Sequence, residues 1–206
     1  GVLTRADDLA RVAAVGARPL ALVGASLGGI TALAATCQGL DVAALVLVDI
    51  VPKMNPTGVA KIRGFMMANP HGFASLEEAA DAISTYYPER PRPKDLSGLN
   101  KNLRKHDDGR YYWHWDQRMM TDERADPAGL IAMLDAADWT DRVPTLLVRG
   151  MKSDIVTDDG VDDLRRRIPK LEIADIRGAG HMVAGDRNDE FNGAVIEFLR
   201  RVMPPA

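Results

Sequence analysis

The chain has 206 residues, 46% of them hydrophobic and 27% charged, with a formal net charge of −3 at pH 7. That length supports one domain with a substantial core and room for an insertion. The mild charge, with basic runs such as Arg165-Arg166-Arg167 and Arg200-Arg201 lying in helical patterns rich in acids or apolar residues, argues against a nucleic-acid partner. The single cysteine, Cys37, excludes an internal disulfide and is expected to be buried and inert. No run is long enough to span a membrane and the first residues lack the apolar core of a secretory signal, so the expectation is a cytoplasmic protein without a membrane partner.

In chain order, Thr4 is placed to cap a first helix with Asp7 and Asp8 in its opening turn and Leu9, Ala10, Ala13 and Ala14 at helical spacing. The apolar run Leu20–Val23 reads as a buried strand, and a helix-forming stretch begins at Ile30 and continues to Cys37. Between them stands Gly24-Ala25-Ser26-Leu27-Gly28, a G-x-S-x-G pattern. Small residues two before and two after a serine let strand and helix close around a strained turn, which exposes the hydroxyl at the carboxyl end of the strand. The same turn aims the Leu27 N–H, at the positive end of the helix, toward any oxyanion formed there.

A glycine-rich strand-to-helix turn also serves dinucleotide binding, and Asp49, ending the next apolar run Ala44–Val48, lies roughly where a ribose-binding acid would. Against that, Ile30 stands where a third glycine is expected, and no Tyr-x-x-x-Lys pair follows. The strand–helix–strand order points to a parallel sheet of the α/β class.

From Pro52 to Thr140 the pattern is helical, broken by proline and glycine and without a strand-like run. Ser75-Leu76-Glu77-Glu78 is a capping box opening a helix. The charged stretch Lys101–Arg110 leads into Tyr111-Tyr112-Trp113-His114-Trp115, the densest aromatic cluster. Strand character returns at Val143–Val148, followed by Arg149-Gly150 and a loop holding Asp154. A helix over 158–168, a short strand Leu171–Ile176, the loop Gly178-Ala179-Gly180-His181 and a last helix over 189–203 complete the chain. The domain reading is therefore 1–52 and 141–206 as core, with 53–140 as a helical cap inserted between them.

Ser26, Asp154 and His181 then stand on three loops that each follow a strand, and parallel strands open all three on one edge of the sheet. A serine hydroxyl becomes a nucleophile when an imidazole takes its proton, and the imidazole needs a carboxylate to fix its tautomer. The order Ser, Asp, His, carried on Gly24-Ala25-Ser26-Leu27-Gly28-Gly29, Leu146–Gly150 with Ser153-Asp154, and Gly178-Ala179-Gly180-His181-Met182, resembles the α/β-hydrolases with a helical cap, of the epoxide hydrolase and haloperoxidase-like branch. The resemblance covers essentially the whole chain, loosely across the cap. It implies a partial α/β-hydrolase fold, with Ser26 as nucleophile, Asp154 as orienting acid, His181 as general base and Leu27 as oxyanion donor.

Epoxide hydrolases and haloalkane dehalogenases of this branch carry an aspartate as nucleophile. Ser26 implies acyl transfer instead: a cofactor-free serine hydrolase acting through an acyl-enzyme on a small or medium, largely apolar ester or related acyl compound. The family's strands before the nucleophile strand, one of which is followed by the loop that donates a second oxyanion N–H, have no counterpart here. The expectation is part of a longer hydrolase, with four contiguous strands whose exposed first edge offers a surface for a second copy.

Some members of the family place the acid after the strand that here ends at Asp49, so Asp49 is the alternative to Asp154. Phe65, Met66, Trp113 and Trp115, with Met182 beside His181, are candidate residues of an apolar acyl pocket; packing of the cap is the other reading of the aromatic ones. His71, His106 and His114 lack two-ligand helical spacing, and Ile155 occupies the first-ligand position before Asp158-Asp159-Gly160, so no metal is expected. The rival readings are a non-catalytic, truncated α/β-hydrolase remnant that binds ligand, and a dinucleotide-binding oxidoreductase.

Overall fold

In the computed structural model, which describes residues 1–88, 90–116 and 127–204, the apolar runs become strands joined by helices. The first part of the chain forms α1 (Val2–Ala13), β1 (Ala21–Ala25), α2 (Leu27–Cys37) and β2 (Ala44–Val48). It continues with α3 (Pro56–Met67), α4 (Leu76–Tyr86), a 3₁₀ turn (Ser97–Lys101), β3 (Leu103–Lys105) and β4 (Tyr111–Trp113). After these come α5 (Pro127–Asp135), β5 (Thr145–Gly150), α6 (Asp158–Arg167), β6 (Glu172–Ile176), the single turn α7 (Val183–Asp186) and α8 (Asn188–Val202). Two compact units result, residues 1–59 with 123–206, and residues 60–122, with α3 crossing the boundary in sequence.

The first unit holds a four-stranded sheet in the order β1-β2-β5-β6, every neighbouring pair parallel. Alternation of side chains along each strand gives the sheet two apolar faces. Val46, Val48, Leu146, Val148 and Ile176 pack with Val195 and Phe198 of α8 on one face. Leu45, Leu47 and Leu147 alternate with them and are no more than 1% exposed. Each such leucine contributes about 1.5–3 kcal/mol by leaving water. Helix α2 lies against β1 and β2, and α1 and α5 lie against α2. Strand β1 is an edge of this sheet, and Val23 on it is 49% exposed.

Register levels the carboxyl ends of the strands. Ala25 lies opposite Val48, Val48 opposite Val148, and Val148 opposite Ala174. The residues that follow β1 and β2 are therefore side by side at one edge.

Two local expectations are corrected. Helix α1 begins at Val2 with Gly1 as its N-cap and without a side-chain cap bond, so Thr4 lies within the helix, since half-buried Val2 and buried Ala6 already belong to its inward face. Cys37 is half-buried at the end of α2, and desolvation pushes its thiol upward.

In the second unit Ser75 caps α4 as the sequence indicates, its Oγ accepting from Glu78 N at 3.2 Å, while the Glu78 carboxylate reaches one residue past the cap to the Ala74 N–H. The expectation of no strand in 52–140 is overturned by an antiparallel hairpin, in which Leu103, Arg104 and Lys105 pair with Trp113, Tyr112 and Tyr111. Three pairs are too few to leave an alternating signature, and the turn is made by the charged residues themselves. Asp108 Oδ1 accepts from Arg110 N at 2.9 Å, and Gly109 takes φ +80°. Phe73 extends the ladder by exchanging two backbone bonds with Tyr111, each of 2.8 Å. Phe73, Ala79 and Leu103 form the centre of this unit's small core. Among the described residues no helix is long and apolar enough to cross a membrane.

Candidate active site

Ser26 follows β1 directly and takes φ +48°, ψ −120°, in a region that L-residues rarely adopt. Neighbouring glycines make this turn possible. A Cβ on Gly24 would lie 2.5 Å from Gly28 O, and one on Gly29 would lie 2.5 Å from Ile50 Cγ2 and 2.7 Å from Gly24 O. Gly28 has no heavy atom within 4 Å of such a Cβ, so the steric demand falls on Gly24 and Gly29 rather than on the second glycine of the pattern. Ser26 N donates to Val48 O at 3.1 Å, continuing the sheet ladder past the end of β1 and tying the turn to β2.

Asp49 follows β2 in the same way. Its N–H donates to Val148 O at 2.8 Å, its φ is +48°, and its side chain is fully buried. A buried carboxylate needs donors on its oxygens. Asp49 Oδ1 accepts from Gly150 N at 2.9 Å, and Oδ2 accepts from Ser153 Oγ at 2.5 Å.

His181 closes the arrangement from the loop after β6. That loop is fixed to the one after β5 through Met151 N to Ile176 O (3.1 Å) and Lys152 N to Ala179 O (2.8 Å). It is braced from the other side by Gly180 N to Asp186 Oδ2 at 2.9 Å. Nδ1 of the ring lies 2.8 Å from Asp49 Oδ2 and Nε2 lies 3.0 Å from Ser26 Oγ. Asp49 as a carboxylate only accepts, so the proton sits on Nδ1. This leaves the Nε2 lone pair facing the serine hydroxyl.

The structure thus brings together Ser26 and His181, but the carboxylate on His181 is Asp49, not the expected Asp154. Strand β2 neighbours β1 in the sheet, so the residue after it emerges beside the serine turn. Asp154 lies half-buried one residue beyond Ser153, and its backbone carbonyl packs so tightly on α3 that a Cβ on Gly58 would come within 2.1 Å of it. The burial of Asp49 also removes the ribose-binding role considered for it, since both of its oxygens are engaged inside the protein. Ser153 has no counterpart among the sequence candidates. The signal for it is its place, on the loop after β5, immediately before Asp154.

Leu27 is the first residue of α2, where backbone N–H groups have no intrahelical acceptor and carry the positive end of the helix dipole. Met182, next to His181, is 49% exposed. Phe65, Trp113 and Trp115 make ring contacts within the unit 60–122: Phe65 stacks on Tyr86 at 4.2 Å and meets Trp113 edge-on at 5.9 Å, and Trp113 lies 6.5 Å from Trp115. Met66 is half-buried on α3. Among the described residues no group of three or more His, Cys, Asp or Glu is placed to hold a metal ion.

Comparison with known proteins gives concordant matches. A model of the alpha/beta hydrolase family matches residues 2–194. Esterase Rv0045c of Mycobacterium tuberculosis is 32% identical over 190 residues, which make up 88% of this chain and 60% of that protein. The sn-1-specific diacylglycerol lipase ABHD11 of Mus musculus is 28% identical over 195 residues, covering 90% of this chain and 60% of the lipase. A solved structure of the M. tuberculosis esterase superposes with a TM-score of 0.76 at 30% identity, over 100% of this chain and 70% of that one. The chain spans about 60% of the length of these curated relatives.

Proposed function

From the premise that the chain belongs to the alpha/beta hydrolase family, we propose that it carries the catalytic apparatus of a serine hydrolase that cleaves a small or medium, largely apolar carboxylic ester through an acyl-enzyme. One observation carries this reading: a single imidazole spans the serine hydroxyl on one nitrogen and a buried carboxylate on the other, at 3.0 and 2.8 Å. The matched esterase and diacylglycerol lipase, both named for ester cleavage, support the substrate class.

In this mechanism His181 Nε2 takes the proton from Ser26 Oγ as the oxygen attacks the ester carbonyl. The imidazolium then donates that proton to the leaving alcohol as the C–O bond breaks. Asp49 accepts the hydrogen bond from Nδ1–H throughout, holds the tautomer and offsets the positive charge. The tetrahedral oxyanion faces the Leu27 N–H at the start of α2, the donor this chain supplies, and such a donor is worth about 10²–10³ in rate. Water then attacks the acyl-enzyme with His181 as base, releasing the acid and restoring Ser26.

Hydrolysis of p-nitrophenyl esters of increasing acyl length tests the proposal. Turnover that disappears in Ser26→Ala while the variant retains the native melting temperature is the expected result. Turnover that survives in Ser26→Ala would refute the assignment of the nucleophile.

A further inference from the structure

We propose that Ser153 is a positioning residue of this site: its hydroxyl fixes the Asp49 carboxylate that orients His181. The inference rests on the serine-hydrolase reading for its consequence in turnover, and on geometry alone for its structural part.

The direction of the Ser153 proton follows from its neighbours. A hydroxyl offers one donor and two acceptor sites. Backbone N–H groups of Ile155 and Val156 reach Ser153 Oγ at 3.1 and 3.3 Å and occupy the acceptor sites. The proton is left for Asp49 Oδ2 at 2.5 Å, the same oxygen that His181 Nδ1 meets at 2.8 Å. Gly150 N, at the end of β5, holds the other oxygen at 2.9 Å, so among the described residues β5 and the loop after it supply both of the donors besides His181 to this fully buried carboxylate. Two anchors on separate oxygens stop rotation of the carboxylate plane. With Ser153 removed, the Gly150 N–H on Oδ1 is the one anchor left besides the imidazole that the carboxylate has to orient. The loop that was expected to bring the acid thus brings the hydroxyl that holds the acid in place.

A bland alternative exists, because the two backbone bonds make Ser153 a turn-forming residue in its own right. Two variants and two readouts separate the roles. In Ser153→Ala, kcat for a p-nitrophenyl ester is expected to fall about 10–100-fold, as for loss of a hydrogen bond to a charged group, with KM nearly unchanged. Ser153→Thr, which keeps the hydroxyl, restores most of it. In parallel, the far-downfield proton resonance of the His181 Nδ1–H is expected to move or broaden in Ser153→Ala and to return in Ser153→Thr. An unshifted resonance in Ser153→Ala, or a kcat within about twofold of the native value, would overturn the proposal. So would a loss in Ser153→Ala that tracks a fall in melting temperature and is not recovered by threonine. A native protein that hydrolyses no ester would defeat the hydrolase reading alone, and the proton resonance would still decide the role of Ser153.

Discussion

Asp49 receives a backbone N–H, a hydroxyl and an imidazole N–H on its two oxygens, and this sets what its removal should do. An asparagine at 49 can present its NH₂ to Nδ1 and so favour the wrong tautomer, with the proton on Nε2 facing Ser26. By analogy with the serine protease case, Asp49→Asn is expected to lower kcat about 10⁴-fold. Asp154→Asn is expected to lower it far less, since the contacts to His181 are made by Asp49 and Ser26. Comparing the two variants by steady-state kinetics checks the assignment, and the reverse order of effects would return the acid to position 154. The sequence placed both acids after strands at the same edge, and spacing along a chain does not say which loop turns toward an imidazole from a third one. Adjacency in the sheet decides it: β2 lies next to the serine strand, and the left-handed backbone at Asp49 turns its side chain inward. Ser153 stayed hidden for a related reason, because a serine before an aspartate on a loop reads as a turn former.

The serine turn itself is an element whose demands can be tested glycine by glycine. Gly29→Ala would drive a methyl into Ile50 and the Gly24 carbonyl, so a destabilisation of about 1–3 kcal/mol is expected from overpacking. Gly28→Ala meets open space and should leave the melting temperature at or above the native value, since alanine favours the helix by about 1 kcal/mol. Equal losses in both would contradict the geometry described. In the hairpin β3–β4 the turn is held by a carboxylate. The Arg110 N–H and then the Tyr112 hydroxyl, at 2.9 and 2.7 Å, hold Asp108 below the usual carboxylate range. A depressed value in the folded state means that these bonds add stability above the ordinary aspartate pKa of about 3.9, and that it is lost as pH falls through the depressed value. Carboxyl NMR should show Asp108 titrating below a free aspartate and Tyr112→Phe moving the midpoint back upward. A midpoint at the ordinary value in the native protein would count against this account. The hairpin was not legible beforehand because its strands are three residues long, and its aromatic residues served equally well as a core or a pocket.

Across the molecule, the alternation of apolar runs with helical segments made the parallel sheet legible, and the position of the serine pattern between strand and helix made the turn legible. The order β1-β2-β5-β6 follows from the resemblance as much as from the residues, because composition alone does not order strands. Where the second compact unit begins and ends, 60–122 against the expected 53–140, depends on contacts that periodicity does not encode. The central claim joins three distant parts of the chain in one relay. Incubation with a fluorophosphonate followed by peptide mapping by mass spectrometry tests it most directly. A single adduct on Ser26, formed rapidly in the native protein and far more slowly in both Asp49→Asn and His181→Ala, is the predicted result. An adduct on another residue, or labelling of Ser26 at the same rate in all three proteins, would contradict it.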